Sequence, residues 1–165
     1  MNLFGWTGFL FEPNKFMYDR LIHERKVVCL NKALYDYDGT VKFLNSKNTY
    51  YSGVVETLSD CHLEECYKEG YSICEVDCIT FPTLFSLYPT PKHINYISLD
   101  TEGSEMKMLS KFPYNEYTVD LFSIEMSDPK IIDLLCSKGY REIKNPLNTW
   151  ASWEHYFAYK DFSLS

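Results

Sequence analysis

Apolar and polar positions alternate along the whole chain in a way that predicts strands separated by helices. The predicted strands lie at 8–11, 27–30, 41–44, 73–79, 94–99 and 119–124, and the predicted helices at 16–25, 61–69, 106–112 and 131–135. Two further strands, 140–143 and 153–159, are expected to pair antiparallel. The stretch from Asn45 to Ser59 is polar and is predicted to be irregular.

Buried strands separated by helices are typical of a parallel α/β sheet, in which ligands bind beyond the carboxyl ends of the strands. No Gly/Ser-rich linker, internal repeat or low-complexity tract interrupts the pattern, so one domain over residues 1–165 is predicted. Polar residues follow three of the strands, at 12–14, 100–105 and Glu125. We expect these three segments to lie along one edge of the sheet.

Charge and hydropathy narrow the classes of partner. The 165 residues include 23 Asp and Glu against 16 Lys and Arg, and this acidic balance argues against a nucleic-acid partner, whose phosphates require clustered basic side chains. No apolar stretch approaches the roughly 20 residues that span a bilayer, and no basic head with an apolar run opens the chain. A cytoplasmic protein without a membrane partner is therefore expected. The oligomeric state stays open.

Four of the six cysteines lie close together in sequence, at positions 61, 66, 74 and 78. Their intervals do not include the two-residue spacing typical of zinc knuckles. Free thiols are therefore expected here and no metal is assigned. A structural zinc site is the alternative.

Two groups of carboxylates are candidates for chemistry. Glu12 ends an apolar strand, where a carboxylate can accept hydrogen bonds from both hydroxyls of a ribose, or can simply favour the amino end of the next helix. Both interpretations stay open. Asp100 and Glu102 lie in a loop directly after a buried strand, where two neighbouring carboxylates bind something or cap the next helix, and Ser104 with Glu105 could supply that cap.

Several segments resemble the FkbM-type methyltransferases. Residues 5–14 are similar to the second-strand motif of that family, and 30–36 to its third strand. Residues 96–105 are similar to its most distinctive segment, and Ser123-Ile124-Glu125 and Lys138-Gly139-Tyr140 follow in register. The resemblance covers nearly the whole chain.

The resemblance implies an S-adenosylmethionine-dependent O-methyltransferase that acts on a hydroxyl of a small molecule or carbohydrate. It implies a Rossmann-like sheet, mostly parallel, with an antiparallel carboxyl-terminal pair. The residues that it assigns to the cofactor are Glu12 and Asn14 for the ribose side and Ala33 and Leu34 for the adenine. Those that it assigns to catalysis are Asp100, Glu102 and Glu125. Many relatives have a His after that glutamate, where this chain has Met126, so Asp100 is the favoured base.

The start of the chain departs from the family pattern. A first strand, a glycine loop for the methionine end of the cofactor and a first helix precede the second strand in the family, whereas Met1 lies only a few residues before it here. The expectation is a domain incomplete at its amino end, with two unpaired strand edges and with weak cofactor binding or none. The alternative is a non-catalytic binding or interaction module descended from the fold.

Overall fold

The computed structural model describes residues 5–125, 128–144, 153–160 and 162. It divides the chain into two compact units, residues 1–80 and 81–165. Each unit contains strands and helices, which confirms the α/β class. That the two units form a single methyltransferase-like domain stays a prediction.

In its described residues, the first unit contains two sheets and two α-helices. Its elements are β1 (Phe9–Phe11), α1 (Lys15–Glu24), β2 (Val28–Leu30), β3 (Ala33–Leu34), β4 (Gly39–Ser46), β5 (Gly53–Val54), α2 (Asp60–Glu69) and β6 (Tyr71–Ile79), with a 3₁₀ turn at Thr49–Tyr51. β1 and β2 form a parallel pair. The other four strands form a sheet of order β3-β6-β4-β5, in which only β3 and β6 are parallel.

β4 organises the core of this unit because its side chains alternate between two faces. Val41 and Phe43 pack in a cluster with Ala33 and Cys78. Leu44, on the opposite face, packs in a second cluster with Leu58 and with Cys66 of α2. The α2 helix is held at both ends, since Ser59 accepts from the His62 N–H and Gly70 ends the helix at φ 94°.

The described part of the second unit contains one sheet and three helices. Its elements are α3 (Phe81–Leu87), β7 (His93–Leu99), α4 (Glu105–Ser110), β8 (Thr118–Glu125), α5 (Lys130–Ser137), β9 (Tyr140–Ile143) and β10 (Glu154–Tyr159). The strand order is β7-β8-β10-β9. β7 and β8 are parallel, whereas β10 is antiparallel to both of its neighbours. The predicted antiparallel pair of final strands is therefore present.

Aromatic rings make up much of the core of the second unit. The Phe112 ring lies edge-on to Phe81, with 5.0 Å between centroids, and to Phe122, with 5.9 Å. Phe122 in turn lies 5.1 Å from the Tyr140 ring. The high aromatic content of the chain thus fills an interior here. Among the helices that the structure describes, none is long and apolar enough to cross a membrane.

The observed sheets differ from the mostly parallel arrangement that the sequence predicts, because both four-stranded sheets are mixed. In the first unit the cause is the eight-residue antiparallel ladder between β4 and β6. β4 continues to Ser46 and pairs with β5, in a stretch that the sequence analysis interprets as irregular. The polar side chains of Asn45 and Ser46 give no sequence signal for a strand, although both residues pair with β6 in the ladder.

Candidate active site

Three carboxylates meet where β7 and β8 end. The parallel register pairs Leu99 with Ile124, so the residues that follow, Asp100 and Glu125, emerge at the same end of neighbouring strands. Carboxylate oxygens of Asp100, Glu102 and Glu125 all lie within 4.8 Å of one another. Asp100 is exposed and the other two are partly buried. The structure thus brings together the three residues to which the resemblance assigns catalysis.

Burial and repulsion between the carboxylates raise the pKa values of Glu102 and Glu125. Burial is the main cause that raises the pKa of Glu125 to about 8, and a hydrogen bond with Asp100 and nearby negative charges add to it. Burial also raises the pKa of Glu102 to about 7, again with help from neighbouring carboxylates. At neutral pH Glu125 therefore carries a proton and donates it in a hydrogen bond to Asp100.

A fourth carboxylate, Glu105, holds the loop that carries Glu102. Its Oε1 atom accepts from the Thr101 N–H at 2.8 Å, from the Thr101 hydroxyl at 2.7 Å and from the Gly103 N–H at 3.4 Å. Glu105 is fully buried, in the first turn of α4. Ser104 forms no side-chain capping bond, so of the predicted pair Glu105 holds the loop.

This loop has an unusual backbone. Glu102 has φ 57°, the left-handed region that a residue with a Cβ seldom adopts, and Gly103 follows at φ 110°. Strain of this kind persists only where the surrounding contacts impose it. The three bonds to Glu105 supply that constraint, and they fix Glu102 beside Asp100.

Sequence reasoning missed a second polar network beside the acids. Glu154 on β10 lies directly opposite Glu125 on β8, and directly opposite residues share a face of the sheet. The Ser123 hydroxyl donates to Glu154 Oε1 at 2.5 Å, and the Tyr156 hydroxyl is also hydrogen-bonded to Glu154. No local signal could reveal this, because only the pairing of β10 with β8 brings Glu154 to this position.

The residues assigned to the ribose lie together in the first unit. Glu12 continues the pairing of β1 with β2 through its N–H, which donates to the Leu30 carbonyl at 3.0 Å. Its Oε1 accepts from the Asn14 N–H at 2.9 Å, while Asn14 Oδ1 caps α1 by accepting from the Met17 N–H. Burial raises the pKa of Glu12, and the bond from Asn14 partly opposes this. Glu12 thus contacts the amino end of α1 through one carboxylate oxygen. Its other oxygen has no hydrogen-bond partner among the described residues.

The pair assigned to adenine is part of the core. Ala33 and Leu34 form β3 and are 4% and 8% exposed, and Ala33 packs against Tyr35 and Val41. Their contact with a cofactor stays a prediction. So does the convergence of Glu12 with Asp100, since these residues belong to different units. Met126 lies outside the described residues.

The cysteines occupy separate environments. Cys66 and Cys78 are buried in the two different clusters described above, with hydrogen bonds to the Tyr51 and Tyr37 carbonyls respectively. Cys61 and Cys74 are exposed. Within the described ranges, no group of three side chains that could hold a metal ion includes a cysteine, and the acids at Asp100 form such a group.

The sequence model of the methyltransferase FkbM domain matches residues 2–142. This match spans most of the chain, which therefore belongs to the FkbM methyltransferase domain family, as the resemblance predicts. No curated protein and no solved structure matches the chain.

Proposed function

We propose that this chain acts as an S-adenosylmethionine-dependent O-methyltransferase on a hydroxyl of a small molecule or carbohydrate. The observation that carries the proposal is the group of carboxylates at Asp100, Glu102 and Glu125, within 4.8 Å of one another at the ends of two parallel strands. The family is that of a methyltransferase domain. The parallel pair β7 and β8 in the second unit supports a Rossmann-like sheet. In such sheets ligands bind beyond the carboxyl ends of the strands, where the three carboxylates lie.

Residues of the first unit would bind the nucleoside of this cofactor. The second carboxylate oxygen of Glu12 has no hydrogen-bond partner in the described residues, and it can accept from a ribose hydroxyl while Oε1 stays on the Asn14 N–H. Glu12 and Asn14 would hold the ribose, and Ala33 and Leu34 would border the adenine. The bound cofactor would supply a methyl group already activated by its sulfonium.

The residues of the second unit would orient the acceptor and take its proton. Below about pH 8 Glu125 is protonated and donates to Asp100, which fixes the orientation of that carboxylate. The free oxygen of Asp100 would then accept the hydrogen bond from the acceptor hydroxyl and remove its proton during transfer. A positioned general base contributes a factor of about 100 to 10,000 in rate, and alignment of the reacting atoms contributes further. The acceptor would be polar and not anionic, because the surrounding carboxylates repel anions.

Cofactor binding and turnover test the proposal separately. Saturation-transfer NMR, which detects weak binding, should show S-adenosylmethionine contacting the chain, and Glu12→Ala should weaken the affinity by a factor of about ten to a hundred. Glu24→Ala, an exposed glutamate at the end of α1, is the matched control. Release of S-adenosylhomocysteine would then be measured against a panel of sugars and other small-molecule alcohols, with Asp100→Asn as the inactive variant.

The outcomes separate the two candidate functions. Binding that Glu12→Ala leaves unchanged would show that the cofactor site is misplaced. Absence of S-adenosylmethionine binding would contradict the proposal and favour the non-catalytic module. We also propose that nucleic acid is not a partner, on the basis of the acidic charge balance. A cytoplasmic location without a membrane partner stays a prediction.

A further inference from the structure

β6 is the longest strand that the structure describes, and one of its edges is only partly paired. β4 pairs with it along one edge from Tyr71 to Cys78. On the other edge β3 pairs only with Cys78 and Ile79. In the described part of the chain, residues 71–77 have no partner strand on that second edge, which we call the open edge.

The direction of the backbone groups along the open edge follows from two hydrogen bonds. The Ile79 carbonyl accepts from the Tyr35 N–H at 2.9 Å, so it faces the edge where β3 lies. The Gly70 carbonyl accepts from the Lys47 N–H at 3.0 Å, on the side of β4. Because backbone groups alternate from edge to edge along a strand, four odd-numbered residues present their N–H and C=O groups to the open edge. They are Tyr71, Ile73, Glu75 and Asp77.

A groove of about 620 Å³ borders this edge and extends across β6 to Asn45 of β4. One wall is formed by β6 residues, including 74–77, and the other by the start of α1 and by Asn31. Asn14 is 92% buried, and its Oδ1 is bonded to the Met17 N–H. Asn31 donates through Nδ2 to the Glu12 and Pro13 carbonyls. Asn14 Nδ2 and Asn31 Oδ1 have no partners among the residues described, so this wall offers both a donor and an acceptor.

Exposed apolar side chains flank the open edge. Ile73 is 51% exposed, and Tyr71 beside it is 45% exposed and stacks edge-on with Tyr67. Natural edge strands are usually protected by charged side chains, Lys above all, by Pro or by a bulge, and the charged residues here are Glu75 and Asp77. Residues 71–77 contain neither Lys nor Pro, and their register with β4 runs without a bulge. This edge therefore keeps the features that favour pairing with another strand.

Two acidic side chains of β6, Glu75 and Asp77, line the groove, and they differ in whether a basic side chain balances their charge. Asp77 is neutralised by Lys32, whose Nζ lies 2.7 Å away, and Lys15 pairs with Asp19. Glu75 has no ion-pair partner in the described ranges, although Lys42 lies opposite it on β4. A ligand that is complementary to this groove carries a basic group beside Glu75.

We propose that the open edge of β6 binds an extended peptide segment of a partner protein, which adds to the sheet as a strand. Its backbone pairs with Ile73, Glu75 and Asp77, while the carboxamides of Asn14 and Asn31 contact its other side. Its side chains place a Lys or Arg beside Glu75 and an apolar residue beside Ile73. Strand addition of this kind takes its affinity from main-chain hydrogen bonds and its specificity from alternate side chains. The site shares Asn14 with the proposed cofactor site and uses none of the carboxylates at Asp100, Glu102 and Glu125.

The probe is a phage-displayed library of random linear peptides, selected on the whole chain, with the enriched peptides then synthesised and titrated by fluorescence anisotropy. Glu75→Pro removes the N–H that faces the open edge but no bond of the β4 ladder, and an edge strand tolerates proline at such a position. We expect Glu75→Pro to weaken binding at least about tenfold, and Glu75→Gln, which loses only the charge, about twofold to fivefold. Tyr50→Ala, an exposed aromatic residue outside the groove, should leave binding unchanged.

Two further measurements do not depend on the folding of a variant. N-methylation of the peptide at the residue facing Glu75 should abolish binding to the unmodified chain. Hydrogen exchange should show that the peptide protects the amides of Ile73, Glu75 and Asp77. The proposal is overturned if no peptide is enriched, if binding is indifferent to Glu75→Pro and to N-methylation, or if protection maps elsewhere. Protection of the same amides in a dimer of the free chain would also overturn it, because the occupant would then be a second copy.

Discussion

Replacing Glu125 by Gln should change the pH dependence of stability rather than simply lower it. Burial and the neighbouring carboxylates raise the pKa of Glu125 from 4.5 to about 8 in the folded chain. Below about pH 4.5 the group is protonated in both the folded and the unfolded state. Between that pH and about 8 the unfolded chain loses the proton while the folded chain keeps it, so the free energy of unfolding falls as pH rises. Gln mimics the protonated form and does not titrate.

The magnitude follows from the size of the shift. Each pKa unit corresponds to about 1.4 kcal/mol, so the full shift of Glu125 would cost about 5 kcal/mol of stability above pH 8. The group is only partly buried and shares its proton with Asp100, and solvent screening and that sharing reduce the cost. We expect about 1–3 kcal/mol. Glu102 adds a loss of the same sign up to about pH 7.

The assay is urea denaturation of the chain and of Glu125→Gln at a series of pH values from 4 to 9. The wild-type free energy of unfolding should decline across this range, whereas Glu125→Gln should decline less and be the more stable of the two above pH 8. Asp133→Asn, an exposed carboxylate on α5, controls for the loss of one negative charge. Parallel profiles for wild type and Glu125→Gln would refute the assignment of the retained proton to Glu125.

Two smaller changes test the local structure of each unit. Asn14→Ala removes the bond from the Met17 N–H that caps α1 and should cost about 1 kcal/mol by chemical denaturation, with Asn14→Ser restoring most of it. An equal loss in both variants would contradict a capping role. Tyr140→Phe removes the hydroxyl that accepts from the buried Val119 N–H at 3.1 Å and should cost about 1–3 kcal/mol. Tyr159→Phe, its partly buried neighbour, should be near neutral, and similar losses for the two tyrosines would count against the bond.

Elements with local signals could be predicted from the sequence. Asn14 and Ser59 start α1 and α2 by capping them, and Gly70 and Gly139 adopt positive φ where α2 and α5 end. These signals act within a few residues, so their effect does not depend on the rest of the fold. The acidic ends of β7 and β8 belong to the same class, because a carboxylate after a buried strand stands out in the sequence. Their meeting within 4.8 Å needed only a parallel register.

Features that depend on pairing could not be predicted. The ladder between β4 and β6 joins segments that are separated in sequence by a 3₁₀ turn, β5 and α2. The polar residues Asn45 and Ser46 do not indicate a strand. The helix α3 also went unpredicted, since Phe81–Leu87 is short, although Pro82 near its start is favoured in a first helical turn. Glu154 reaches the site only through the register of β10 with β8.

Glu105 provides the most direct test of how the loop shapes the carboxylates. Three hydrogen bonds converge on its Oε1, in a fully buried position, so Glu105→Ala leaves the Thr101 and Gly103 N–H groups without this acceptor. Bonds to a charged acceptor contribute about 1.5–3 kcal/mol each, and we expect Glu105→Ala to cost about 3–5 kcal/mol by urea denaturation. Glu105→Gln keeps an acceptor oxygen but loses its charge, and it should cost about 1–2 kcal/mol. Thr101→Val removes the hydroxyl donor alone and should cost less than Glu105→Ala.

The same variants should alter the electrostatics of the site in a direction that packing alone does not predict. The negative charge of Glu105 is among the causes that raise the pKa values of Glu102 and Glu125. Glu105→Gln should therefore lower both pKa values while the fold is retained, which carboxyl carbon chemical shifts in a pH titration by NMR would measure. Thr101→Val keeps the charge and should leave both pKa values nearly unchanged. A stable Glu105→Gln variant with unshifted pKa values would mean that burial and Asp100 retain the protons without Glu105, and that the loop serves only to place Glu102 beside Asp100.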